Sequence, residues 1–388
     1  MRVLFISSFL LFADSRSGAA KRLYYFARAL GAESTLSLVC LDAGQEADHF
    51  STALSPSKEF LQVRYERGLL DKFRDPFDVP AYLSPEMKSQ LDAFIRASNF
   101  DVVFCAFAFA LSLLDLPSLG GAKRVVYLED DLSFEVFRER MKNAHQPLRK
   151  LHMAARWWQA EAFYRRLLPR VTGFVAISEE EAEVIRRKFP HLKVTIAGYG
   201  IPLDEYPKLE PPVRRSTLGF IGNYIHQSNR DAVQFFLDAW YPVIKKQQPG
   251  ITILIAGKRL PESFIRAWKG DNSIVFRDNV PDLRDFYSDI SILINPIVSQ
   301  RGLRTKLVEA AAFGRPIIST TLGAEGLERL QLQIVDSAND CVKATAMLQD
   351  NAEYERVAEQ NRLAVQRYYS IDTIGRTLIQ CLQTAAES

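Results

Sequence analysis

Short apolar runs alternate along the chain with stretches whose apolar residues recur at helical spacing. The clearest case lies in 290–327, where the buried-strand pattern of 290–294 is followed by a loop and then by a helical pattern over 305–313. Gly314 is expected to end that helix, and the next strand follows directly at 317–319. Strand, helix and strand predict a βαβ unit, whose ligands bind beyond the carboxyl ends of the strands.

The same alternation occupies both halves of the chain and predicts an α/β protein. Residues 42–84 interrupt it, because they lack a clear period and mix aromatic with charged side chains. A long irregular segment of this kind is typical of functional loops. Prolines mark a linker between the two halves, at Pro202, Pro207, Pro211 and Pro212.

Chain length, net charge, cysteine spacing and the lengths of the apolar runs limit the classes of protein to which this chain can belong. A chain of 388 residues is long enough for two domains that each bury a core. A net charge of +3 is too small to indicate nucleic-acid binding by itself. The four cysteines have no C-x-x-C spacing, which disfavours a zinc site or a disulfide framework and fits a reducing cytoplasm. The apolar run 102–114 is shorter than the ~18 residues of a membrane-spanning helix.

The loop and helix start after 290–294 carry the most specific chemistry. Arg301, Arg304 and Lys306 are followed by Glu309, one turn into the predicted helix. Cations beside helix-start amides suit a diphosphate, and a carboxylate one turn on suits the two hydroxyls of a ribose. The alternative is an ordinary βα unit with a solvated basic loop.

The spacing in this region resembles the nucleotide-sugar signature of GT-B glycosyltransferases, and most closely that of the retaining family 4. The residues that carry the resemblance are Gly302, Arg304, Lys306, Glu309, Ala310, Gly314, Pro316 and Thr320. It implies two Rossmann-like domains that face each other across a cleft. We expect an acceptor-binding domain over 1–200, a nucleotide-sugar-binding domain over 201–369, and a final helix within 370–388 that crosses back to the first domain.

The resemblance also implies which residues bind the donor. The candidates follow strands or open helices in both halves: Gly18, Gly222, Asn223, Arg230, Lys258, Gly302, Arg304, Thr305, Lys306 and Glu309. Glu129 and Asp130 follow a predicted strand where the family often has a His-Asp pair beside the transferred sugar, and they are the catalytic candidates. The histidine of that pair is absent here. Arg301 also replaces a glutamate that is common in the family, so the anomeric outcome stays open.

These residues imply a glycosyltransferase that moves a sugar from a UDP- or GDP-linked donor to a hydroxyl of a glycan or lipid-linked acceptor. No cofactor or metal is expected, because no D-x-D follows a strand in the donor-binding half and the cations can stabilise the leaving diphosphate. The alternatives are a non-catalytic GT-B partner subunit and a nucleotide-sugar 2-epimerase.

A basic segment with interleaved aromatic residues runs from 138 to 170. Residues 149–170 permit two interpretations. One is a helix that packs on the sheet with its arginine side chains extended to solvent, and the other is a peripheral contact with anionic lipid at the inner face of the membrane. The protein is otherwise expected in the cytoplasm, and no nucleic-acid partner is expected.

Overall fold

The computed structural model describes residues 1–11, 18–42, 59–64, 79–129, 133–142, 144, 146–212, 215–299 and 304–387. The chain divides into two compact units. Unit 1 comprises Met1–Gly200 and Ile374–Ser388, and unit 2 comprises Ile201–Thr373. Unit 2 is therefore a continuous stretch between two parts of unit 1.

Unit 1 is built on a parallel sheet of seven strands in the order β3-β2-β1-β4-β5-β6-β7. Its strands are Arg2–Ser7 (β1), Thr35–Asp42 (β2), Glu59–Arg64 (β3), Val102–Ala106 (β4), Val125–Leu128 (β5), Gly173–Ala176 (β6) and Lys193–Ile196 (β7). Its helices are Gly18–Glu33 (α1), Pro85–Ser98 (α2), Phe107–Ser112 (α3), Ser133–Lys142 (α4), Pro147–Leu167 (α5) and Glu179–Lys188 (α6). The central strands are apolar throughout because helices cover both faces of a parallel sheet.

Unit 2 has a parallel sheet of six strands in the order β10-β9-β8-β11-β12-β13. Its strands are Thr217–Asn223 (β8), Thr252–Lys258 (β9), Ile274–Asp278 (β10), Ile292–Asn295 (β11), Ile317–Ser319 (β12) and Gln333–Ile334 (β13). Its helices are Gln227–Phe235 (α7), Tyr241–Gln247 (α8), Glu262–Trp268 (α9), Leu283–Asp289 (α10), Thr305–Ala312 (α11), Thr321–Ala324 (α12), Ala338–Met347 (α13) and Asn351–Ala364 (α14).

The strand order of each sheet reverses once, between β1 and β4 in unit 1 and between β8 and β11 in unit 2. Loops that leave neighbouring strands at such a reversal run in opposite directions and open a crevice at the carboxyl ends of the strands. In unit 2 the two loops at the reversal follow Asn223 and Asn295. These loops lead to the candidate residues of α7 and α11.

The predicted end of α11 is confirmed in detail. Gly314 has a φ of +75°, a left-handed conformation that glycine adopts without a steric penalty. Its amide donates to the carbonyl of Ala311, and the Arg315 amide donates to the carbonyl of Ala310. This pair of hydrogen bonds forms a Schellman motif and turns the chain directly into β12.

The last helix, Ile371–Glu387 (α15), belongs to unit 1 from Ile374 onward, so the predicted return of the chain to the first unit is confirmed. Gly375 allows the helix to approach α1 closely, because a Cβ atom at Gly375 would lie 2.7 Å from that of Ala29. Among the described helices, none is both long enough and apolar enough to cross a membrane.

Two sequence predictions were wrong in extent. Residues 42–84 contain an edge strand, β3, which pairs with β2. Its sequence EFLQVR is half polar, so an apolar pattern could not reveal it. The strand predicted over 330–336 is reduced to the two residues of β13, which pair with Ile318 and Ser319 of β12.

Candidate functional site

Two glycines bring the ends of β8 and β9 close together. Gly222 and Gly257 lie opposite each other in the sheet. A Cβ atom on Gly257, whose φ is +140°, would lie 1.8 Å from the carbonyl oxygen of Gly222. A Cβ atom on Gly222 would lie 2.8 Å from Cγ of Asn229. Side chains at either glycine would thus push the loop after β8 away from the sheet.

Asn229 connects the loop after β8 to α11. Its Nδ2 donates to the carbonyl of Asn223 at 2.8 Å, and its Oδ1 accepts from Nζ of Lys306 at 3.1 Å. The asparagine is buried, so both hydrogen bonds are shielded from water. The amide side chain therefore fixes the ammonium group of Lys306 at the reversal point of the sheet.

The ammonium group of Lys306 also lies over an aromatic ring, with Nζ 3.9 Å from the centroid of Phe220. Burial and, to a smaller extent, the positive charge of Arg304 lower the pKa of Lys306, Glu309 acts in the opposite direction, and the net result is a pKa of about 7. The amine can therefore gain or lose a proton near neutral pH.

The cap and the first turns of α11 carry three more of the candidate residues, Arg304, Thr305 and Glu309. Arg304 is the N-cap residue and Thr305 the first residue of α11. Glu309 is buried and lies three residues after Lys306, which places both on one face of the helix. We call Phe220, Asn229, Arg304, Lys306 and Glu309 the Lys306 cluster. It combines cations, helix-start amides and one carboxylate.

Arg230 and Lys258 lie beside this cluster but are already engaged with the loop. The guanidinium group of Arg230 donates to the carbonyl of Tyr224, to that of Ile225 at 3.0 Å and to Oε1 of Gln227 at 2.6 Å. The carbonyl of Lys258 accepts from the amide of Tyr224 at 2.9 Å. Arg230 thus holds the shape of the loop after β8.

In unit 1, Glu129 directly follows β5 and is buried. Its Oε2 accepts hydrogen bonds from the hydroxyl of Tyr127 at 2.5 Å and from that of Tyr164 at 3.2 Å. Burial raises the pKa of both tyrosines, and the adjacent carboxylate raises it further. The two phenols therefore remain protonated donors and fix the orientation of the carboxylate.

Two family models match the chain in consecutive blocks. The model described as Glycosyltransferase Family 4 matches residues 16–205, and the model described as Glycosyl transferases group 1 matches residues 215–351. The chain belongs to the group 1, family 4 glycosyltransferases. The second match contains the whole Lys306 cluster, and the first contains Glu129.

Solved structures show that this glycosyltransferase has the GT-B fold. Sucrose-phosphate synthase from Thermosynechococcus elongatus matches with a TM-score of 0.72 and 14% identity, over 100% of both chains. HepE from Anabaena, in complex with UDP and glucose, matches with a TM-score of 0.66 and 13% identity, over 99% of this chain and 100% of that chain.

One curated relative is the "Uncharacterized 44.6 kDa protein in cps region" of Klebsiella pneumoniae, which is 25% identical over 114 residues. The match takes in 28% of this chain and 29% of that protein. This chain therefore spans less than a third of the length of that relative.

The structure of this glycosyltransferase brings together most of the donor-site candidates of unit 2. Gly222 and Asn223 are the last residues of β8, Lys258 is the last residue of β9, and Arg230 lies in the first turn of α7. Gly18, by contrast, belongs to unit 1, where it is the first residue of α1. The remaining candidates Gly302 and Asp130 lie outside the described residues, as does Arg301.

Four residues of these sites were not among the predicted ones. Phe220 lies two residues before the predicted Gly222, and Asn229 lies one residue before the predicted Arg230. Tyr127 could have been predicted from the sequence, because it lies two residues before Glu129 and alternate residues of a strand lie on the same face of the sheet. No local signal pointed to Tyr164, which is 35 residues from its partner Glu129.

Proposed function

We propose that this glycosyltransferase moves a sugar from a UDP- or GDP-linked donor to a hydroxyl group of a glycan or lipid-linked acceptor. The observation that carries the proposal is the Lys306 cluster, which gathers two cations, helix-start amides and a buried carboxylate at the reversal point of the unit 2 sheet. The complex of HepE with UDP and glucose supports the same ligand class.

The cluster suits the charges of a nucleoside diphosphate. The amides at the start of α11 point toward the carboxyl edge of the sheet and favour an anion there. Arg304 and protonated Lys306 stabilise the negative charge that develops on the leaving diphosphate, which is the task that a bound metal performs in other enzymes. We therefore propose transfer that is independent of a metal ion, with Glu309 accepting hydrogen bonds from two ribose hydroxyls.

Lys306 has a specific part in this scheme. Because its pKa is lowered to about 7, the amine can exchange a proton near neutral pH. A diphosphate beside Nζ favours the ammonium form, so donor binding takes up a proton. When the diphosphate leaves, the same ammonium group remains paired with it until the product dissociates.

We assign Glu129 to the transferred sugar or to the acceptor hydroxyl. Its carboxylate is oriented by the two tyrosine hydroxyls and lies just beyond the carboxyl end of β5. It can accept a hydrogen bond from a sugar hydroxyl or receive the proton of the attacking hydroxyl. Retention of the anomeric configuration is proposed from the family resemblance.

The donor site is tested by thermal unfolding in the presence of UDP, GDP and their sugars, with wild type and Glu309→Ala. A nucleotide at 100 times its dissociation constant stabilises the protein by about 2.7 kcal/mol. We expect one base to stabilise wild type and to leave Glu309→Ala unshifted. Glu262→Ala, at an exposed position of α9, is the matched control and should respond like wild type.

The same experiment separates the alternatives. If no nucleotide shifts the wild-type protein, the enzyme proposal fails and a non-catalytic partner subunit becomes the better explanation. If a nucleotide sugar binds and returns as its 2-epimer without any acceptor, the protein is an epimerase.

Glu129→Gln tests the assignment in unit 1. The amide is isosteric but accepts hydrogen bonds more weakly and cannot take up a proton, so transfer should fall about a hundredfold while donor stabilisation is unchanged. Tyr164→Phe removes one of the two donors to Oε2 and should reduce transfer about tenfold. Equal transfer rates in Glu129→Gln and wild type would remove Glu129 from the mechanism.

We also propose a cytoplasmic location with a peripheral contact at the inner face of the membrane. The four cysteines are free thiols, which fits a reducing compartment. Of the residues 149–170, for which packing on the sheet and a lipid contact were both considered, only the first part is proposed to make this contact. Phe163, Tyr164 and Leu167 are buried in the core of unit 1, so the second half of α5 packs on the sheet.

A further inference from the structure

The first half of α5 exposes large apolar side chains to solvent. Leu148 is 84% exposed, Leu151 69% and Trp158 71%. Their spacings of three and seven residues place them on one face of the helix, together with exposed Ala155. The buried face of α5, by contrast, begins at Ala160. The exposed stripe is therefore a second apolar face, which the core of unit 1 does not use.

This stripe lies on a helical hairpin that extends beyond the core. α5 has 21 residues and is about 31 Å long, and its core residues occupy only the second half. α5 packs against α4, whose buried residue Phe134 contacts Tyr164 in the second half of α5, with ring centroids 5.4 Å apart. A short connection joins the two helices and makes them antiparallel neighbours.

Along the part of α5 that carries the stripe, the charged residues all have one sign. The sequence between Glu139 and Glu161 contains no acidic residue, while its basic residues are Arg140, Lys142, Arg149, Lys150 and Arg156. Arg149 and Lys150 are exposed and flank Leu148 and Leu151 directly. We call Leu148, Leu151 and Trp158, with Arg149 and Lys150, the docking face.

We infer that the docking face binds the surface of an anionic lipid bilayer. Leucine and tryptophan side chains enter the boundary between headgroups and acyl chains, and basic side chains beside them attract anionic headgroups. A second copy of the chain fits less well. A symmetric contact through this face would bring Arg149 and Lys150 of both copies together, and like charges oppose association.

The path of the chain between β5 and β6 determines which edge of the unit 1 sheet faces the bilayer. The connection from β5 to its parallel neighbour β6 leaves the sheet at the carboxyl edge, where Glu129 lies, and re-enters at the opposite edge. The first half of α5 is therefore on the carboxyl side of the sheet. Docking through this hairpin turns the edge that carries Glu129 toward the bilayer, where the hydroxyl of a lipid-linked acceptor would be presented.

The inference extends the proposed function to a lipid surface, but it is measured without donor or acceptor, so either can fail separately. The full-length protein is sedimented with vesicles of phosphatidylcholine alone and of phosphatidylcholine mixed with phosphatidylglycerol. We expect binding to the anionic vesicles only, and a marked loss of binding at high salt. The emission of exposed Trp158 should shift to shorter wavelength on binding, and this part of the shift should be absent in Trp158→Phe.

Two double variants test the face itself. Leu148→Ser with Leu151→Ser, and Arg149→Glu with Lys150→Glu, should each weaken binding to anionic vesicles about tenfold or more. The four positions are exposed, so both variants should keep wild-type thermal stability. The matched controls are Leu363→Ser and the pair Lys246→Glu with Arg266→Glu, all at exposed positions of unit 2, and they should bind like wild type.

Four outcomes would overturn the inference. Wild type could fail to bind anionic vesicles, or could bind neutral and anionic vesicles equally. The two double variants could bind as tightly as wild type. Finally, analytical ultracentrifugation could show a wild-type dimer that the leucine variant dissociates, in which case the face is a contact between copies of this chain.

Discussion

Replacing Lys306 with methionine should weaken donor binding about a hundredfold and at the same time make the protein more stable at neutral pH. Methionine retains the packing on Phe220 but removes the amine that donates to Asn229 and is placed to pair with a diphosphate. Losing one charge-assisted contact should weaken nucleotide binding about a hundredfold. Donor titration followed by thermal unfolding measures this loss.

The gain in stability follows from the pKa of Lys306. The pKa lies at about 7 in the folded protein, against 10.5 for an ordinary lysine. Between these values the unfolded chain binds more protons than the folded protein, so the free energy of unfolding of wild type rises with pH. At pH 7 the buried ammonium group costs stability, whereas near pH 10 the folded protein holds a neutral amine and most of the cost is gone.

Methionine removes this titration. After the lost hydrogen bond to Asn229 is subtracted, we expect the free energy of unfolding of Lys306→Met to exceed that of wild type by about 2 kcal/mol at pH 7. At pH 10 we expect the variant to be no more stable than wild type. Lys246→Met, at an exposed position of α8, is the control and should show no such pH dependence. A methionine variant that is less stable than wild type at pH 7 would show that the amine is a structural group.

Donor binding by the wild-type protein should have the opposite pH dependence. Because the diphosphate pairs with the ammonium form, affinity should fall about tenfold for each pH unit above the pKa of Lys306. Calorimetry in buffers of different ionisation enthalpy would detect the proton that is taken up near pH 7.

The second large effect is expected at Gly257. In Gly257→Ala the new Cβ atom would lie 1.8 Å from the carbonyl oxygen of Gly222, and the φ of +140° is one that residues other than glycine rarely adopt. Neither backbone atom can rotate away, so β8 and β9 must separate. We expect a loss of about 4 kcal/mol or more in the free energy of unfolding, measured by urea denaturation.

Substitutions at two other glycines provide comparisons for Gly257→Ala. Gly250→Ala is the control, because a Cβ atom there meets nothing within 4 Å, and it should change stability by less than about 0.5 kcal/mol. In Gly222→Ala the three atoms nearest to the new Cβ all belong to the side chain of Asn229, which can shift. That variant should fold but bind nucleotide weakly, because Asn229 no longer positions Lys306. A Gly257→Ala protein as stable as wild type would contradict the close packing of the two strands.

The parts of the fold and site that the sequence predicts are those set by local pattern. The βαβ unit around α11 follows from an apolar run, a helical period and Gly314, and all of these act over a few residues. The contact between Lys306 and Asn229 joins residues 77 positions apart, and no local pattern encodes it. The docking face also required the structure, because Trp158 and the buried Phe163 are both aromatic residues of one basic helix and only packing distinguishes them.

The return of α15 to unit 1 affects the order in which the protein can fold during synthesis. Unit 2 is continuous in sequence, so it can complete its core as soon as residue 373 has left the ribosome. Unit 1 begins with β1 but receives its last helix only after all of unit 2 has been made. Until α15 has been synthesised, the side of α1 around Ala29 is therefore uncovered in the nascent chain. A holdase chaperone that binds unfolded chains would bind to this surface.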